Sequence, residues 1–343
     1  MLRDPLSWKL EFKSTMEPSS HTIAALQTER DPRKSGPRLG TSIAEFDASF
    51  PDDAACEQHL FRTRYGHLTC CPYCGLNTSW WKHPKRAIYV CTRCRRHLNL
   101  KSQTLFHATR IPLKVLFYAM LLSANSVATP PNSVLRRHLG FSTSSALAFG
   151  RKFRAHLTTI ENKRKIGGAG YPVHVEIFYF KGLYSVMSKG KKRAAVLLLS
   201  DGSASTVSIL DTTRPARIFE AIRQKVAAGS RITANDPALL QKLTLYRQAW
   251  FPIESVEDQS ALFIDMHQYE TRIFIANAVR AIRNTYIRVS IEWLDQYLGE
   301  QIYRFNHRGT SIFIESISEF PHINESIFNS RKFYERQYDG FSR

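Results

Sequence analysis

Four cysteines carry the clearest chemistry in this chain. Cys71 and Cys74 form one Cys-x-x-Cys pair and Cys91 and Cys94 a second, with sixteen residues between the pairs. Each pair on a tight turn offers two thiolates, and two such turns facing each other surround one Zn²⁺ tetrahedrally. Gly75 follows the first pair, where the turn calls for a positive φ. The tip between the pairs carries Trp80, Trp81, Lys82, His83, Lys85 and Arg86. All six cysteines lie between Cys56 and Cys94. A secreted disulfide framework would spread them along the chain, and a redox pair would stand alone beside a βαβ unit, so the expectation is a structural zinc site in a cytosolic protein. Cys70 could compete with Cys71, but the two-residue spacing favours Cys71, and Cys56 is expected to be a small buried residue.

The charge balance points to the partner. The 343 residues hold 48 Lys and Arg against 29 Asp and Glu, a formal net charge of +19. Such an excess favours a polyanionic partner, nucleic acid first, with an anionic membrane surface a distant second. No apolar run reaches the roughly 18 residues of a membrane helix, and the start "MLRDPLSWKLEF" lacks the apolar core of a signal peptide. The predicted class is multi-domain α+β.

The elements that must position these residues follow in order. Residues 1–45, with "ERDPRKSGPRLGTS", are expected to form a flexible basic arm. A short helix over about 51–63 leads into a zinc ribbon spanning 46–108. The region 109–160 is helical: one helix follows Pro112, then "SVLRRHLGFSTSSALAFGRKFRAHL" sets a short helix, Gly140, a capping Ser142 and a longer helix in helix–turn–helix spacing. The cations of this pair, Arg136, Arg137, Arg151, Lys152 and Arg154, are the first candidates for DNA contact, and Lys82, Lys85 and Arg86 of the ribbon tip the second. A plain helical hairpin is the competing reading of the same pattern. Residues 161–172 form a glycine-rich linker. Beyond it "VHVEIFYF", "RAAVLLLS" and "STVSIL" alternate as strands, the helix "PARIFEAIRQKVAAG" and the strand "SRITA" follow, and 271–305 is helical. Three strands, helix, strand and further helices over 173–310 give the order of a ribonuclease-H-like sheet, an order that other α/β folds share. The tail, 311–343, is weakly patterned.

Taken together, "FPDDAACEQHLFRTRYG", "CPYC…CTRC", "QTLFHATRIPLKVLFYAMLL", "VLRRHLGFSTSSALAFGRKFR", "VHVEI" and "YLGEQIYRFNHR" resemble, in the same order, the bacterial insertion-sequence transposases that join a zinc ribbon to a DDE-type domain. The resemblance covers about residues 43 to 308 and implies DNA transposition on element ends, with possible self-association. It also implies three acids holding two Mg²⁺ ions, one lowering the pKa of the attacking oxygen and the other stabilising the leaving one. Carried onto this chain, the three acid positions hold Phe178, Asn235 and Arg272. Phenylalanine supplies no ligand, and arginine opposes a cation. Glu176, two residues before Phe178 on the same strand face and roughly 7 Å away, and Asp236, one place beyond Asn235, are the substitute catalytic candidates. Glu270 is turned about 200° from Arg272 on a helix, and Asp201 and Asp211 are expected in turns. The resemblance therefore implies a transposase homologue defective in cleavage and strand transfer. Its alternatives are a DNA-binding regulator or inhibitor derived from a transposase, and an active transposase using shifted acids. Mg²⁺ belongs to the chain only in the last case.

Overall fold

The computed structural model describes residues 40–84, 86–184, 191–234, 236–244, 261–286 and 289–323. Helix α1 (Ile43–Ser49) starts on a capping box, in which Ser42 accepts from the Glu45 amide and Glu45 from the Ser42 amide. Helix α2 (Asp53–Tyr65) is capped by Asp52. The single helix expected over 51–63 thus has a companion that begins where the basic arm was expected still to run. Phe46 and Phe50 turn inward between them.

A small antiparallel sheet, β1 (Trp80–Lys82), β2 (Ile88–Cys91) and β3 (His97–Asn99), follows in the order β1-β2-β3. One face lies on α2, where Tyr89 stacks on Phe61 at 3.8 Å and Lys82 pairs with Glu57 at 2.8 Å. Helices α3 (Leu113–Ala124), α4 (Asn132–Leu139) and α5 (Thr143–Asn162) come next. Gly140 at φ +65° ends α4, and Ser142 caps α5.

The second sheet has the order β6-β5-β4-β7, formed by β4 (Pro172–Tyr184), β5 (Lys191–Ser200), β6 (Ser205–Leu210) and β7 (Arg231–Ala234). The first three strands are antiparallel, and β7 runs parallel to β4 after α6 (Pro215–Lys225). This is the ribonuclease-H-like arrangement expected from the strand order. Strand alternation divides the core. Val173, Val175, Leu197, Leu199, Ile232 and Ala234 meet α6 and α7 (Pro237–Thr244) on one face. Phe180, Val196 and Leu198 meet α8 (Ala261–Thr285) and α9 (Leu294–Asn306) on the other.

The helical run expected over 271–305 is broken: α8 ends at Thr285, and a 3₁₀ turn, Ile291–Trp293, opens α9. Within α9, Gly299 faces Thr158 of α5 so closely that any Cβ would collide with its hydroxyl. The weakly patterned tail begins with α10 (Ile312–Ser318), and Phe313, Ile317, Phe320 and Ile323 join the core of α1, α2, α3 and α5. Residues Arg38–Arg343 cluster as one unit.

Candidate metal centre and nucleic-acid interface

The four cysteines meet. The Sγ atoms of Cys71, Cys74, Cys91 and Cys94 all lie within 4.8 Å of one another, and those of Cys71 and Cys94 are 3.7 Å apart. A tetrahedral zinc with bonds of about 2.3 Å sets its sulfurs about 3.8 Å apart, so the cluster fits such an ion. Two matching backbone turns build it. The Gly75 amide donates to the Cys71 carbonyl and the Arg95 amide to the Cys91 carbonyl. In turn the Cys71 amide donates to Leu76, and the Cys91 amide to Arg96. The second turn therefore needs positive φ at Arg95, where the first uses Gly75 (+61° against +71°). The Tyr73 and Cys94 amides point at the Cys71 and Cys91 sulfurs, at 3.5 and 3.4 Å, and such donors steady thiolate ligands. Cys70 is exposed and outside the cluster. Cys56 is buried, and burial, followed by Asp53 and Asp52, pushes its thiol up to about 12.

The positions at which the resemblance implies acids look different. Phe178 stands on β4 opposite Val196, half-buried against the α8–α9 core. Arg272 is exposed on α8, while Asn235 lies outside the described residues. The candidate substitutes are scattered. Asp236 caps α7, accepting from the Ala238 amide at 2.9 Å, with its carbonyl accepting from Leu239 and Leu240. Asp201 accepts from the amides of Gly167, Ser203 and Ala204 at 2.8–2.9 Å. Burial pushes its pKa up, and these donors outweigh that to hold it below the usual range. Asp211 pairs with Arg217, and Glu270 with Arg308. Glu176 alone is unengaged: its Oε2 is buried without a hydrogen-bond partner, on the sheet face that also carries His174 and Phe178. Among the described residues, the four cysteines are the one group of three or more His, Cys, Asp or Glu placed to share an ion.

The expected DNA contacts divide sharply. Arg136 and Arg137 are exposed and line a groove with Ser133, Gly140 and Phe141, and Arg86 is exposed as well. Lys85 lies outside the described residues. The others are taken up in packing. Arg154 is buried, its guanidinium 4.4 Å from the Tyr297 ring and 5.5 Å from the Tyr286 ring. Arg151 lies over Trp293, and Lys152 donates to the His107 carbonyl. Lys82 is held by Glu57. Arg151 and Arg154 thereby join α5 to the segments around α9, and Lys152 joins it to the loop before α3. Cations that the spacing of the helical pair does not pick out stand exposed instead: Arg93, Arg95 and Arg96 on the second cysteine turn. Their adjacency to a ligand pair is the signal that could have found them.

The closing motif also acquires a role. Arg304 is buried, paired with Glu300 at 2.7 Å, and donates to the carbonyls of Ser123, Ala124 and Ser126 at the end of α3. Asn306 holds the amide and carbonyl of Ser205 at the start of β6, both at 2.8 Å. Arg308 covers Phe305 and reaches Glu270.

Fold and site together give a mixed α+β protein, with a small three-stranded sheet beside a four-cysteine cluster and a larger mixed sheet with helices that is consistent with a ribonuclease-H-like domain. Residues 180–306 match the family model of the ISXO2-like (IS1595) DDE transposase domain, and a transposase family implies DNA as partner. The match begins two residues after Phe178 and includes Asn235 and Arg272. No curated protein matches the chain. Among the described residues, no helix is long and apolar enough to cross a membrane.

Proposed function

We propose that this chain is a transposase-derived DNA-binding protein that holds a structural Zn²⁺ and does not carry out metal-dependent cleavage or strand transfer. One observation carries the reading: the acid positions implied by the resemblance hold Phe178, Asn235 and Arg272, while Asp201, Asp211, Asp236 and Glu270 are each committed to a turn, a cap or an ion pair. Two divalent ions need several hard oxygen ligands, and a lone carboxylate cannot supply them. The zinc site shapes the ribbon. Arg136 and Arg137 face the DNA phosphates. A regulator, or an inhibitor that pairs with an active transposase, is the use to which such a protein is suited.

Calorimetric titration of Mn²⁺ into zinc-loaded protein tests this, with the Phe178→Asp, Asn235→Asp, Arg272→Glu triple variant alongside. The natural protein is expected to take up no ion beyond zinc. Binding of two Mn²⁺ ions, or cleavage of duplex DNA with Mg²⁺, would overturn the reading.

A second reading rests on Glu176. Its partnerless buried oxygen, two residues before Phe178, is suited to an incoming cation, as in a transposase using shifted acids. Glu176→Gln separates the two: metal-dependent DNA cleavage abolished by that change alone would establish the shifted site.

A further inference from the structure

The β4–β5 hairpin carries a charge arrangement that packing does not explain. Between Glu176 and Asp201 the sequence has no acid, yet it holds Lys181, Lys189, Lys191, Lys192 and Arg193. The register sets Lys181 directly opposite Arg193. Like charges facing each other across strands are destabilising, and neither residue makes an ion pair among the described residues. Both are exposed, as is Lys192.

The hairpin also outruns its neighbours. Strand β6 pairs with β5 only from Ala195 onward, and β7 pairs with β4 only from Pro172 to Val175. Lys181–Tyr184 and Lys192–Arg193 thus project as a two-stranded ribbon. One side is anchored: Phe180, Leu183 and Ala194 are buried against α8 and α9, and the Tyr184 amide donates to the Val289 carbonyl at 3.0 Å. Among the described residues the opposite side is uncovered. Tyr179 is 46% exposed there, with the Arg193 guanidinium 5.2 Å from its ring centre. Gly182, at φ +78°, marks the bulge where the register shifts and the ribbon twists.

We infer that this ribbon is a second DNA-binding element, with Lys181 and Arg193 straddling the phosphate backbone of duplex DNA. An anchored two-stranded ribbon, about 5 Å between strands, fits a major groove about 12 Å wide. Phosphates supply the negative charge the facing cations lack, and a rigid base spares the ordering cost of binding. The inference rests on the proposed DNA-binding function and adds a surface that the helical pair does not provide.

The test is binding to a random-sequence duplex across a salt series, followed by fluorescence anisotropy. Lys181→Ala with Arg193→Ala should lower the slope of log K against log salt by about 2, near 0.9 for each phosphate that is no longer neutralised. Lys181→Glu should move two readouts in opposite directions. The introduced carboxylate faces Arg193 and raises the melting temperature, while duplex affinity falls at least tenfold. On the natural protein, duplex should protect Lys181 from acetylation. Unchanged affinity and slope in the variants, or an unprotected Lys181, would overturn the inference while leaving the proposed function standing. Variants weakened only on anionic vesicles would also overturn it. Failure of the natural protein to bind duplex at all would remove the proposed function itself.

Discussion

Replacing Arg304 by leucine should cost this protein about 3–5 kcal/mol, far more than an average substitution, and the reason is local. The guanidinium is 2% exposed and the Glu300 carboxylate 0%. Arg304 gives Glu300 two charge-assisted bonds, at 3.0 and 2.7 Å, and three more to carbonyls at and just beyond the end of α3, at 2.7–3.2 Å. Glu300 also accepts from the amide and hydroxyl of Thr129, at 2.7 and 2.9 Å. Arg304→Leu therefore strands a buried anion and strips three helix-end carbonyls of their donors. Glu300→Leu strands the cation instead. The double variant removes both charges of the pair and leaves only Arg154, which Glu300 also stabilises, as a nearby buried cation, so it should cost about 2 kcal/mol less than the sum of the singles. Urea unfolding of all four proteins, with zinc content checked in each, completes the cycle. A cost below about 1 kcal/mol for Arg304→Leu, or additive singles, would refute the reasoning and make the pair incidental to the docking of α3 on α9.

Two further outcomes follow from the same structure. Cys94→Ser, or exhaustive chelation, should release the zinc and unfold the β1–β3 ribbon, read as loss of one equivalent of zinc and as protease cutting near residues 71–97; an intact, resistant ribbon after chelation would count against a structural metal. His156 is fully buried and donates to, or accepts from, no charged partner: burial pulls its pKa down to about 4 even though its ring bonds the Ser316 carbonyl at 2.7 Å. With an unfolded value near 6.5, its neutral form stabilises the fold fully above that pH. That contribution, about 3 kcal/mol, is lost as pH falls from 6.5 toward 4. The stability gap between the natural protein and His156→Gln should shrink over that window, and a gap independent of pH would exclude the histidine as its source.

The metal site was legible because four cysteines at paired two-residue spacings leave the backbone few alternatives. The larger sheet was legible for a related reason: alternation along "VHVEIFYF" and "STVSIL" is a local signal, and both appear as β4 and β6. The fate of individual cations was not. Arg151, Lys152 and Arg154 follow a helix–turn–helix spacing, but what decides their role is Trp293, the His107 carbonyl and the Tyr286–Tyr297 pair, which lie far away in sequence. The same holds for α10, whose short, weak pattern becomes informative only once Phe313 and Phe320 are seen among the aromatic rings around Phe46 and Phe117. Helix α1 is the opposite case: Ser42 and Glu45 spell a capping box in plain sequence, and the surrounding polar composition concealed it.

Phe178 bears most directly on the proposed lack of metal-dependent cleavage. A ligand carboxylate at that strand position would need a neighbouring cation or donors, yet the side chain sits among Val196, Phe180 and the apolar faces of α8 and α9. Phenylalanine is at home there. Reverting it to aspartate would trade that packing for a half-buried charge, at a cost of about 3 kcal/mol unless a metal offsets it. Arg272 has no comparable burial, so its reversion to glutamate should be nearly neutral for stability. The two positions thus differ in how closely the fold packs around the residue present. A Phe178→Asp protein no less stable than its parent in metal-free buffer would show that the apolar contacts of this residue contribute little, and that the strand remains ready to receive an acid.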